Sequence, residues 1–148
     1  MLIRRANLAD SIDIWAWRND ESARLNSLSQ DFVPWEDHDF WFREKIVNPE
    51  VFIFIGQIDG HKIGKCRFDQ DSQGMFLEIS INLNPQFRGK RLSRELLEGC
   101  IESVFCIPAL PRSLIATVRE SNLPSVNLFR SLNFKLIETV NGVAKYKY

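Results

Sequence analysis

Cysteine, histidine and net charge are all scarce in this sequence. Three cysteines, Cys66, Cys100 and Cys106, make no CxxC pair and no set at metal-ligand spacing with the two histidines, His38 and His61. A disulfide framework and a metal site are therefore not expected. Cys100, on the apolar face of a helical segment, and Cys106, at its end, read as buried small hydrophobes rather than nucleophiles. Nineteen Lys and Arg balance nineteen Asp and Glu, so no global field favours nucleic acid or an anionic membrane. Any anion site must be local and its ligand small. The longest apolar run is VFIFI at 51–55, far short of a bilayer span, and Arg4 and Arg5 are followed by ANLADS rather than an apolar signal core. The expectation is a cytoplasmic protein starting at Met1, with no membrane or nucleic-acid partner. Repeats, low-complexity tracts and linkers are also lacking, and 148 residues suit one domain, 1–148.

What is present alternates between two periodicities. LIRRA reads as a strand; Asn7 and Asp10 give the capping spacing of a helix start, with apolar residues recurring at Leu8, Ile12, Trp15 and Ala16 to about Arg18. VPWEDHDFWFREKIV places Pro34 at a helix opening, acids in the first turn and Arg43 and Lys45 near the end. VFIFIGQI, a turn at Asp59-Gly60, HKIGKCRF, the turn DQDSQG and MFLEISINL read as three antiparallel strands. RLSRELLEGCIESVF puts Leu92, Leu96, Leu97, Cys100, Ile101, Val104 and Phe105 on one helix face. The strand SLIATV, the helix PSVNLFRSL and two strands, FKLIETV and VAKYKY, joined at Asn141-Gly142 complete an order βααβββαβαββ. The terminal VAKYKY segment offers an edge through which a homodimer would pair.

One junction concentrates cations. In INLNPQFRGKRLS a strand runs into a turn that opens a helix, with Arg88, Lys90 and Arg91 around Gly89. Free amides and the positive helix end make an anion site there, and glycine removes the Cβ from the approach. A solvated basic turn is the alternative. With neither GxxxxGK[ST] nor GxGxxG in the chain, ATP and dinucleotides drop in rank.

The stretch EISINLNPQFRGKRLSRELL resembles the acyl-CoA-binding motif of the GCN5-related N-acetyltransferase (GNAT) superfamily, with Gln86-Phe87-Arg88-Gly89-Lys90-Arg91 as the Gln/Arg-x-x-Gly-x-Gly/Ala segment. VRESNLPSVNLFRSLNFK resembles the second motif of that family, through Asn122, Ser125 and LNF at 132–134. The resemblance covers nearly the whole chain. It implies an α+β fold with a mixed, mostly antiparallel sheet of about six or seven strands, splayed between the fourth and fifth, and about four flanking helices. It also implies an acetyl-CoA-dependent N-acetyltransferase, with no metal, acting on a small-molecule primary amine by direct attack. Ile81 and Leu83 would pair with the pantetheine arm, residues Arg88, Gly89, Lys90, Arg91, Leu92 and Ser93 would hold the pyrophosphate, and Asn122 and Asn127 would flank the arm. Glu78, an acid within an apolar strand, matches the position from which the amine is deprotonated through water, and burial would tune it for that task. A solvent-facing strand residue is its other reading. Asn122 is the second catalytic candidate, since Pro124 biases Leu123 out of helical geometry and leaves the loop open; turn chemistry is the alternative. His38 and His61 are weaker candidates. Two positions depart from the family pattern: Arg91 stands where Gly or Ala is usual, and Phe129 where a tyrosine often protonates the thiolate.

The first third resembles a subgroup acting on nucleotide-linked amino sugars in pseudaminic-acid-type pathways. On that resemblance Arg18, Asn19, Arg24, Trp35 and Trp41 would contact the sugar or its nucleotide. A protein amino terminus is the alternative acceptor, and an acyl-CoA-binding module without turnover the alternative class.

Overall fold

A computed structural model describes residues 1–148. Seven strands form one sheet in the order β1-β2-β3-β4-β5-β7-β6: β1 Leu2–Arg5, β2 Val51–Ile58, β3 His61–Gln70, β4 Leu77–Leu83, β5 Leu114–Arg119, β6 Lys135–Val140 and β7 Val143–Lys147. Five helices accompany it, α1 Ser11–Asn19, α2 Glu21–Asn26, α3 Trp35–Val47, α4 Leu92–Phe105 and α5 Leu123–Ser131, with single 3-10 turns at Leu8–Asp10 and Pro85–Phe87. Every pairing is antiparallel except β4 with β5.

Turn chemistry sets the hairpins. Asp59 and Gly60 both have positive φ, as do Asn141 and Gly142, the geometry whose twist matches flanking antiparallel strands. The Asn7–Asp10 capping box opens the first 3-10 turn. Asp10, 1% exposed, also accepts two hydrogen bonds from Arg4 at 2.8 Å and lies 2.9 Å from Lys62 Nζ. Burial alone would push its carboxyl up, but these partners hold it well below the usual carboxylate range.

Helices cover both faces of the sheet. On one, Leu96, Leu97, Cys100, Ile101 and Val104 of α4 and Val126 and Phe129 of α5 pack on Cys66, Phe68, Leu77, Ile79, Leu114 and Ala116. On the other, Ile14 and Trp17 of α1 and Phe42 of α3 cover Val51, Ile53 and Ile55. A Cβ at Gly64 would come within 2.5 Å of Asn82 O and 2.9 Å of Leu96, so glycine there lets α4 settle against β3.

Three expectations need correction. The α2 helix adds an element to the βααβββαβαββ order. Cys106 is exposed, unlike Cys66 and Cys100, because it lies past the last apolar turn of α4. The VAKYKY segment is not an edge: β7 is paired on both sides, by β5 and β6, so its backbone has no free row of groups to offer a second copy.

Candidate active site

β4 and β5 pair only through Leu77–Ile79 and Leu114–Ala116. Beyond that point Thr117–Arg119 continue along β7, while Ser80–Leu83 keep a strand partner on the β3 side alone. The sheet opens into a V, and the free edge of β4 can receive an extended chain through main-chain hydrogen bonds.

Past the open end of β4 the chain makes two left-handed steps, with φ of 73° at Gly89 and 61° at Arg91. A Cβ at Gly89 would meet nothing within 4 Å; conformation, not crowding, asks for glycine. Arg91 is the N-cap of the 14-residue α4 and makes no side-chain cap. No side chain or outside carbonyl receives a hydrogen bond from the amides of Gly89, Lys90, Arg91, Leu92 or Ser93. Consecutive open amides at the positive end of a helix suit a phosphate or diphosphate.

The cations are less concentrated on that spot than their sequence suggests. Arg88 Nη1 lies 2.6 Å from Asp20 Oδ2, tying the cradle to the α1–α2 turn. Lys90 Nζ stands 4.7 Å over the Phe87 ring, and Arg91 is exposed. The amides carry the site, and the side chains set its surrounding potential.

A cleft of about 500 Å³ runs from this cradle to the splay, lined by Ile81, Leu83, Arg88, Gly89, Arg91 and Ser93 on one side, and by Asn122, Ser125 and the α2 residues Ser22 and Asn26 on the other. Asn122 Oδ1 accepts from Ser125 N at 3.3 Å, so it performs turn chemistry and also borders the cleft. Asn127 does not: it is exposed, because two residues on from Ser125 it lies on the opposite side of α5. Ser125 occupies the place intended for it.

On the α1/α3 face of the sheet lie two cavities of about 440 Å³ and 380 Å³, both bounded by Arg18, Lys65, Arg67 and Asn82. The larger also meets Asn122 and Ser125, so it borders the cleft. Arg18 Nη2 donates to Ser29 O at 2.8 Å, while its buried Nη1 has no partner. Arg67 pairs with Asp69 at 2.6 Å and stacks 5.1 Å over Trp41. Lys65, 6% exposed, has one hydrogen bond, to Ser80 Oγ at 3.3 Å; burial, reinforced by Arg67, lowers its pKa to about 7. Phe129, 1% exposed, also borders the larger cavity and has no proton to give.

Of the residues expected to meet an acceptor, Arg18 and Trp41 line these cavities. The other three support the walls. Asn19 exchanges two hydrogen bonds with the Val33 backbone, at 2.9 and 2.8 Å. Arg24 donates to Gln30 O at 3.2 Å, and Trp35 packs edge-on to Trp15 at 5.6 Å. Glu78 lines the larger cavity but is exposed, so the burial expected to tune it is missing. His38 is buried with Nε2 2.9 Å from Ser11 O, its pKa lowered by that burial. His61 is exposed.

Comparison with known proteins matches residues 13–134 to the acetyltransferase (GNAT) family. The chain is similar to the N-acetyltransferase 9-like protein of Dictyostelium discoideum, 22% identical over an alignment 152 residues long, gaps included, that covers 86% of this chain and 70% of that protein. An N-acetyltransferase from Staphylococcus aureus Mu50 superposes with a TM-score of 0.82 at 26% identity, covering 99% of this chain and 96% of the other. The spermidine N-acetyltransferase of Vibrio cholerae, solved with CoA and spermine, superposes at 0.86 with 16% identity, over 99% and 94% of the two chains. That last likeness extends to the fold alone.

Proposed function

The chain belongs to the acetyltransferase (GNAT) family, and from that premise we propose that it moves an acetyl group from acetyl-CoA to the primary amine of a nucleotide-linked amino sugar. The observation that carries the donor half is the uncapped, twice left-handed entry to α4 beside the open edge of β4. The amides of residues 89–93 hold the diphosphate, the free edge at Ile81 and Leu83 hydrogen-bonds the pantetheine arm, and Asn122 and Ser125 close the far wall. Acetyl-CoA supplies an activated thioester; the protein supplies alignment and exclusion of water. Glu78, at the rim, remains a candidate for relaying a proton through water.

The acceptor half rests on the lining of the second chamber. The cations Arg18, Arg67 and Arg119 face it, with the buried amine of Lys65 beside them, against Asp69 and Glu78, and Asp69 is already paired with Arg67. Such a chamber suits an acceptor carrying phosphate, and Trp41, in the wall of the adjoining smaller cavity, offers an apolar surface for a ring. It repels a polycation. Thiol release from acetyl-CoA, compared across a UDP-linked amino sugar, a peptide amino terminus and spermidine, tests the assignment. The amino sugar should turn over fastest and spermidine slowest. The peptide leading would move the acceptor to protein termini, and acetyl-CoA binding without turnover of any of them would leave a binding module.

A further inference from the structure

Lys65 stands out among the titratable groups. It points from the middle of β3 into the α1/α3 face, its register partner is Asn82 of β4, and it borders both cavities there. Its single hydrogen bond reaches Ser80, the first β4 residue beyond the β5 pairing. The lysine amine therefore sits in the wall shared by the two cavities, at the level where the sheet opens, and the larger of them meets the donor cleft at Asn122 and Ser125.

We infer that Lys65 is the proton acceptor for the transfer, its neutral Nζ taking the proton that the attacking amine sheds. The assignment rests on the acetyl-transfer reading above. When the amine nitrogen bonds to the acetyl carbon, the carbon–sulfur bond breaks and the nitrogen loses one proton to Nζ. The resulting ammonium returns that proton to the departing thiolate, leaving an amide, a thiol and a neutral lysine. Phe129 offers no group for the return step, and Lys65 needs no further reactant.

The surroundings favour a neutral Nζ before reaction. Arg67 and Asp69 flank it on β3, Arg18 faces it from α1, Asp37 and His38 from α3, Glu78 from β4 and Arg119 from β5. Asp69 is engaged by Arg67 at 2.6 Å, Glu78 is exposed, and Arg119 donates to Ser27 O and Leu28 O. Asp37 is exposed like Glu78 and neither carboxylate pairs with Nζ, whose one hydrogen bond is to Ser80, so Asp69 offsets only part of the opposition from the Arg67 and Arg18 guanidinium groups. Burial accordingly leaves its pKa at about 7, a value matched to work near neutral pH. The same cations favour the neutral, nucleophilic form of the acceptor amine.

The test uses wild type, Lys65→Met and Lys65→Arg. Calorimetry should give all three the same acetyl-CoA affinity. Thiol release with whichever of the UDP-linked amino sugar, peptide and spermidine the wild type uses should fall about a hundredfold to ten-thousandfold in both variants. Only the wild type should show kcat rising with pH through about 7. In the free wild-type protein, the Lys65 carbon resonance next to Nζ, assigned by its loss in Lys65→Met, should titrate near that same pH. Lys65→Arg working at wild-type rate and pH profile, or a Lys65 resonance still charged above roughly pH 9, overturns the assignment. Failure of the wild type to bind acetyl-CoA, or to acetylate any of the three amines, instead overturns the acetyl-transfer reading.

Discussion

Arg88 Nη1 lies 2.6 Å from Asp20 Oδ2, bridging 68 residues of sequence. Asp20 also accepts from Ala23 N at 3.1 Å, capping α2. One carboxylate thus fixes both the short helix that roofs the cleft and the left-handed loop that opens α4.

Asp20→Asn keeps a capping oxygen and loses the charge, so it isolates the ion pair. Asp20→Asn and Arg88→Ala should each destabilise the fold by about 0.5–1 kcal/mol, as suits a partly exposed pair, and the double variant by little more than either, since both remove the same interaction. Chemical denaturation of the four proteins checks the cycle; full additivity would separate the cradle from α2.

Gly89 and Arg91 make opposite predictions. Gly89→Ala forces a Cβ into φ of 73°, costing about 1–2 kcal/mol of strain or shifting the amides, and should weaken acetyl-CoA binding about tenfold or more. Arg91→Gly relieves a residue held at φ 61° and should stabilise the fold by about 1 kcal/mol while acetyl-CoA affinity falls less than tenfold. Melting curves and calorimetry on the two variants measure both quantities.

Much of this architecture is legible in the sequence wherever the signal is local. The Asn7–Asp10 box, the Asp59-Gly60 and Asn141-Gly142 turns and the apolar stripe of α4 need only neighbouring residues. The cradle is legible too, because Gly89 sits between a strand pattern and a helix pattern. What escapes depends on distant partners. Arg88 looks like a phosphate ligand until Asp20 is seen beside it. The six residues of α2 bury no residue, so no apolar period marks them. Lys65 alternates with Ile63 and Arg67 on one face of β3, and only the coverage of that face by α1 and α3 makes it a buried amine. The loss of Asn127 and the gain of Ser125 follow from the rotation of α5, which spacing alone leaves open. Asn19, Arg24 and Trp35 share their stretch with Arg18 and Trp41, but the loop between α2 and α3 takes up the hydrogen bonds of Asn19 and Arg24, and Trp35 packs on Trp15 of α1.

Lys65 also carries a stability signature. Its folded pKa of about 7 lies below the ordinary 10.5, so between those values the unfolded chain binds the extra proton. Wild-type stability should therefore rise as pH increases from about 7 towards 10.5, with the full cost of the buried cation present below that window. Lys65→Met should flatten this rise and be more stable than wild type at neutral pH, by about 1–4 kcal/mol if the methionine fills the same space. Denaturant unfolding at several pH values follows the difference; equal slopes in both proteins would mean that Lys65 is solvated.

The central claim is that a diphosphate-bearing thioester lies along the open edge of β4 and against the start of α4. Amide hydrogen exchange with and without acetyl-CoA tests it directly. Protection should appear at Ile81 and Leu83 and across residues 89–93, and hardly at all on β1 or β6. Binding that leaves those amides exchanging at their free rates, or no binding, would contradict it.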